Sequence, residues 1–148
     1  MEDLTGTSFA EYVEREIFQK LGLKRSTYNL YPDKRDSFKI ARGHYDNGKI
    51  DSSKKYHVYP KQAAAGFWST PSDLVRILIE MQQEYKWLSE KTLNRELMQV
   101  MLSGQLAFSD RGLGVVLKGA KGVDGFWYSG QNAGYNSLLY ATTTGREW

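Results

Sequence analysis

The sequence predicts an α+β domain in which helices come first and an antiparallel sheet follows. Three observations carry this. Up to Gly104, apolar residues recur mostly at helical spacing. After Gly104 the pattern becomes extended, in "GLGVVLKG", "GFWYS" and "YNSLLYATT". The extended runs are separated by the turn-rich segments "AKGVDG" and "SGQNAG". Helices followed by strands define α+β.

Each element has its own signal. "TSFAEYVEREIFQKLGL" predicts a helix. Ser8 and Glu11 have capping-box spacing, so hydroxyl and carboxylate can satisfy free N–H groups at the start. Phe9, Val13, Ile17 and Leu21 share one face, and Gly22 suits a left-handed cap at the end. "FKIARGHYDNGKIDSSKKYHVYP" predicts a long-armed hairpin near residues 40–59, closed by a type I′ turn at Asn47-Gly48. A second helix follows "AAAGFWS", with Thr70 as N-cap, Pro71 at its first position and Asp73 three residues after the cap. Its buried face is expected at Leu74, Ile77, Leu78 and Met81. A third helix is expected from Ser89 to Gly104, with Leu93, Leu97, Val100 and Met101 inward. Strands are expected at 112–118, 125–129 and 135–142.

The whole reads as a single incomplete domain over residues 1–148. Residues 1–104 form a mainly helical portion, with the hairpin near 40–59, and residues 105–148 form antiparallel strands. Hydrophobic content of 41% and charged content of 25% fit a globular chain and exclude disorder. No apolar run approaches the ~20 residues of a membrane helix. The net charge is +3, with Lys and Arg scattered, which excludes a nucleic-acid stripe. There is no cysteine, so disulfides and thiolate metal sites are excluded.

The search for chemistry begins with metals. His44 and His57 are the only histidines, and no carboxylate stands at a metal-site spacing from them. No metal and no cofactor are expected. "GQNAG" is followed by no G-K-[ST], and G-x-S-x-G does not occur. An S-x-x-K match, Ser52 to Lys55, lies in a charged loop and not at the start of a buried helix, so it reads as a chance match. On the residues alone, "SGQNAG" reads as a hairpin connection.

Four segments in order resemble the serine β-lactamase and penicillin-binding-protein-like superfamily. Within it they resemble the branch of class C β-lactamases, D-alanyl-D-alanine carboxypeptidases and related esterases. They are "GTSFAEYVEREIFQKLGLKRSTY", "AAAGFWSTPSDLVRI", "RGLGVVL" and "FWYSGQNAGYNSLLYATTTG". Each segment is weak alone; four in the right order and spacing are specific. The resemblance implies that Tyr128-Ser129-Gly130 stands at the family's third motif, Lys/His-x-Gly, on a strand that walls the active site. It implies that Gln131 offers a backbone N–H to the oxyanion hole, and that Gly130 lets substrate approach without a Cβ.

Two departures matter. Tyr128 replaces a cation, and a phenol donates a hydrogen bond without carrying positive charge at neutral pH. That puts β-lactam or peptide-carboxylate recognition in doubt. The family's first and second motifs, S-x-x-K and Tyr-x-Asn, belong upstream of residue 1. The expectation is therefore the C-terminal portion of a serine hydrolase, cut before its last strand and helix. It carries no catalytic residue of its own and is inactive alone. The parent would act on a small-molecule or peptide-like substrate, with an extracytoplasmic location open to it by resemblance. The sheet edges are expected to favour self-association, with Trp68, Trp127, Tyr135, Leu138 and Tyr140 as candidates for exposed surface. The alternative is a non-catalytic α+β module that binds a substrate or partner.

Overall fold

The computed structural model describes residues 1–31, 39–50, 56–106, 110–119 and 123–144. Among them, no helix is long and apolar enough to cross a membrane. The α+β order holds: helices up to Met101, then a three-stranded antiparallel sheet in the order β1-β2-β3.

A short helix α1, Glu2–Thr5, precedes the predicted first helix. The latter starts as α2, Phe9–Val13, passes through a π turn, Glu14–Phe18, and ends as α3, Gln19–Leu21. Ser8 and Glu11 form the capping box. The Ser8 contacts hold the Glu11 carboxyl below its ordinary pKa. Gly22 takes the left-handed conformation (φ 63°), and the Leu23 N–H closes back on the Phe18 carbonyl at 2.8 Å. The π turn corrects the expected face. It advances the chain by more than 3.6 residues per turn, so the buried series is Val13, Phe18 and Leu23 at intervals of five. Phe9, Ile17 and Leu21 flank it, half-buried, together with Tyr28 and Phe67.

The predicted hairpin is smaller than expected. One bridge, His44 to Ile50, is formed among the described residues. The turn is not type I′: Gly48 has φ 73°, but Asn47 does not have a positive φ. The Asn47 Oδ1 instead accepts the Lys49 N–H at 3.0 Å, an Asx-type contact that leaves only Gly48 left-handed. The S-x-x-K match at 52–55 lies outside the described residues.

Helix α4, Gln62–Ala65, leads to α5, Pro71–Tyr85, which is capped by Thr70 as predicted. Leu78 of α5 lies in the main core with Met98, Leu102, Phe126 and Ala141, while neighbouring Ile77 packs into the Val13–Phe18–Leu23 core. Leu74 is half-buried, and Met81 packs against the main core. One helix thus joins both apolar clusters. It also buries three carboxylates. Asp73 accepts the Arg25 N–H at 2.8 Å and the Ser26 hydroxyl at 3.0 Å, and it pairs with Arg76 at 2.8 Å. Glu80 accepts from Ser89 and from Lys91 Nζ. Glu84 takes the N–H groups of Thr92 and Leu93. A buried carboxylate is tolerated only with such donors.

Those donors explain why the third helix begins late. Residues 89–93 are held as a loop on Glu80 and Glu84, and α6 runs only over Arg95–Met101, capped by Asn94. The inward face is correspondingly Met98 and Leu102, each 1% exposed, with Leu93 and Met101 at its margin. Leu97 and Val100, expected inward, are exposed.

The sheet comprises β1, Val116–Lys118, β2, Gly125–Asn132, and β3, Tyr135–Thr142. β1 is shorter than the predicted 112–118. β2 runs three residues beyond the predicted 125–129. Phe126 and Ala141, opposite one another, put the sheet's buried face against α5 and α6. The Gln82 Nε2 reaches the Thr142 carbonyl at 2.8 Å and ties α5 to β3. Of the five aromatic and aliphatic residues expected on an exposed sheet surface, only Leu138 is exposed; Trp68, Trp127, Tyr135 and Tyr140 are half-buried.

Candidate functional site

All four residues singled out in the sequence lie on one strand. Tyr128, Ser129, Gly130 and Gln131 are consecutive in β2, so "SGQNAG" is mostly strand and not loop. The turn is confined to Ala133 and Gly134, between the paired Asn132 and Tyr135. The polar, glycine-containing composition masks a strand because its end lies beyond the apolar core, with Ser129 and Gln131 exposed.

The register fixes where each backbone group points. Asn132 and Tyr135 close a two-residue hairpin, so they form a hydrogen-bonded pair. Alternation then makes Gly130–Ser137 and Tyr128–Leu139 hydrogen-bonded pairs too. The odd residues, Ser129 and Gln131, turn their N–H and C=O groups the other way, toward the side occupied by β1. But β1 pairs with β2 only at Gly125, Phe126 and Trp127. Beyond Trp127 that edge is open among the described residues. The Gln131 N–H therefore faces an unpaired edge while its strand stays pinned on the opposite side. No residue-level sequence signal gives this; it follows from the ends of β1.

Side chains alternate as well. Phe126 is buried on the helix-facing side, whereas Tyr128, two residues on, is 54% exposed. The sheet thus extends past its helical cover at Tyr128. A Cβ on Gly130 would come 2.9 Å from the Ser137 Oγ, so the Ser137 side chain would have to turn about χ1 to make room. Gly130 keeps the strand surface flat at that point.

Three contacts fix the end of the hairpin. The Asn132 Nδ2 donates to the Ala65 carbonyl at 3.2 Å, tying β2 to α4. The Ala133 N–H donates to the Tyr59 hydroxyl at 3.0 Å, and the His44 N–H to the Gly134 carbonyl at 2.8 Å. In addition, Tyr135 donates its hydroxyl proton to the Ala41 carbonyl at 2.8 Å, and burial raises its pKa. Sequence reasoning misses Asn132, Tyr59 and the anchoring role of Tyr135. Their signal is contact with distant residues, which one sequence does not display. His44 and His57 do not form a metal cluster with carboxylates among the described residues.

Helices followed by a three-stranded antiparallel sheet match the α+β arrangement of penicillin-binding proteins and their homologues. Two solved structures show the likeness. One is the octameric penicillin-binding protein homologue from Pyrococcus abyssi, with a TM-score of 0.72 at 20% identity, covering 97% of this chain and 33% of that one. The other is the penicillin binding protein from Bacillus halodurans, with a TM-score of 0.75 at 21% identity, covering 97% of this chain and 44% of that one. No curated protein sequence matches significantly. The Beta-lactamase family model matches residues 1–146, and the chain belongs to that family. The relationship to serine hydrolases holds at the family level. The chain spans less than half the length of either solved relative.

Proposed function

We propose that this chain forms one wall of a serine-hydrolase active site, with the Gln131 N–H as an oxyanion donor. In the reaction, a serine oxygen attacks an ester, amide or lactam carbonyl. Negative charge then develops on the carbonyl oxygen, and a preorganised N–H beside it lowers the barrier. The intermediate then breaks its bond to the leaving oxygen or nitrogen, which departs protonated as alcohol or amine, and water hydrolyses the acyl-serine to a carboxylic acid and free serine. The observation that supports the reading is the open edge at Gln131, on a strand held rigid from its other side. The Tyr128 hydroxyl would hydrogen-bond a substrate group at the position where the family places a cation. Neutral acyl groups suit that position better than carboxylates.

The nucleophile and its lysine would come from an S-x-x-K segment upstream of residue 1, and a Tyr-x-Asn segment with it. Reading the DNA immediately upstream tests this. An in-frame S-x-x-K and Tyr-x-Asn supports the hydrolase. A stop codon followed by a ribosome-binding site, with neither motif, favours a non-catalytic binding module. In a parent that carries both motifs, Gln131→Pro removes the N–H and is expected to lower kcat about 10²- to 10³-fold. Unchanged kcat would overturn the assignment.

A further inference from the structure

An open cleft of about 730 Å³ lies between the end of the β2–β3 hairpin and the turn at Tyr45–Gly48, starting at Gln131 itself. Among the described residues no Lys or Arg lines the cleft. Among the described lining residues Asp46 is the one carboxylate, and His44 the one other ionisable group besides tyrosines. Among the described residues no cation pairs with Asp46, and its side chain is exposed. Tyr45 and Tyr59 supply aromatic rings, and Gln131 and Asn136 supply carboxamides.

We infer that this cleft is a subsite for a protonated amine carried on the substrate, beside the carbonyl held at Gln131. A carboxylate with neighbouring tyrosine rings attracts an ammonium group by charge and by the ring quadrupole. Carboxamides can satisfy the polar linkage between that amine and the reacting carbonyl. Among the described residues an anionic substituent meets the Asp46 carboxylate and no Lys or Arg, so it is disfavoured. Calling the ligand a substrate substituent rests on the proposed role of Gln131; the amine preference rests on the cleft alone.

The test uses the 148-residue chain labelled with ¹⁵N. Three probes share one scaffold: N-acetyl-lysine amide, N-acetyl-norleucine amide and N-acetyl-glutamate amide. The lysine compound is expected to shift the Gln131, Ala133 and Asn136 amide signals saturably, the norleucine compound more weakly, and the glutamate compound least. Asp46→Asn, in an exposed turn that accepts asparagine, is expected to weaken the lysine compound about fivefold and to bring it level with norleucine. Equal binding of the lysine and glutamate compounds, an unchanged affinity in Asp46→Asn, or no saturable shift would each overturn the proposal. Because Gln131→Pro reads acyl transfer and Asp46→Asn reads amine binding, either reading can fail alone.

Discussion

The carboxylate of Glu84 accepts the backbone N–H of Thr92 at 2.6 Å, across the turn that follows α5. The same carboxylate takes the Leu93 N–H at 3.0 Å and the Thr92 hydroxyl at 2.8 Å, and Glu84 itself is fully buried. It orders the loop by supplying acceptors that a helix through residues 89–93 would have supplied itself. Glu84→Ala should therefore leave two N–H groups without an acceptor and cost about 2–4 kcal/mol. Denaturant unfolding checks this. A cost under about 0.5 kcal/mol would show that the loop finds other partners.

Leu78 and Leu97 separate true core from expected core. Leu78 is 8% exposed between α6 and the sheet, and Leu97 is 53% exposed on α6. Leu78→Ala should cost about 2–5 kcal/mol, and Leu97→Ala within about 0.5 kcal/mol of nothing. Equal costs in urea unfolding would overturn the burial pattern of α6.

Proline scanning along β2 reads the direction of each N–H. Gln131→Pro removes a group that faces the open edge, where proline is tolerated. Gly130→Pro removes a ladder hydrogen bond to Ser137. The first variant should melt within a few degrees of the parent sequence, the second at a clearly lower temperature. The reverse order in thermal scans would place the open edge on the wrong residues.

The isolated 148-residue chain should hydrolyse neither a chromogenic cephalosporin nor a nitrophenyl ester above the buffer rate. An oxyanion donor without a nucleophile and base leaves only weak residual catalysis. Turnover that disappears on changing Ser52 or Lys55 would make the S-x-x-K match at 52–55 functional.

Self-association is expected of the isolated chain. β3 has no second neighbour among the described residues, and Leu138 on it is 68% exposed. Unpaired edges and exposed apolar side chains recruit other chains. Light scattering and sedimentation at tens of micromolar should show dimers or larger species. A monodisperse monomer with a cooperative melt would mean that the chain closes its own core.

Signals in the sequence are legible where they act locally. The Ser8–Glu11 box, the Gly22 cap, the Thr70-Pro71 start and strand β3 need no distant partner. The end of α5 is illegible because no glycine marks it. Trp87 takes the left-handed position there (φ 66°), and the Trp87 and Leu88 N–H groups close back on Glu84 and Gln83. The start of α6 is illegible because Glu84, on the preceding helix, decides it. In the site, composition hides the strand identity of Gly130 to Asn132. The open edge depends on where β1 stops, which is a tertiary fact.

Gly43 and Gly134 meet backbone to backbone at the end of the hairpin. A Cβ on Gly134 would come 2.8 Å from the Gly43 carbonyl carbon, at a φ of 74° that already disfavours side chains. A Cβ on Gly43 would come 3.0 Å from the Tyr135 ring and 3.1 Å from the Ala133 carbonyl oxygen. At Gly134 no partner change restores room, since the obstacle is main chain, whereas at Gly43 the Tyr135 ring and the main chain both crowd the added carbon. Directed evolution of this strand edge toward new substrates is thus free to vary Tyr128, Ser129 and Asp46, but must work around an anchor it cannot retune.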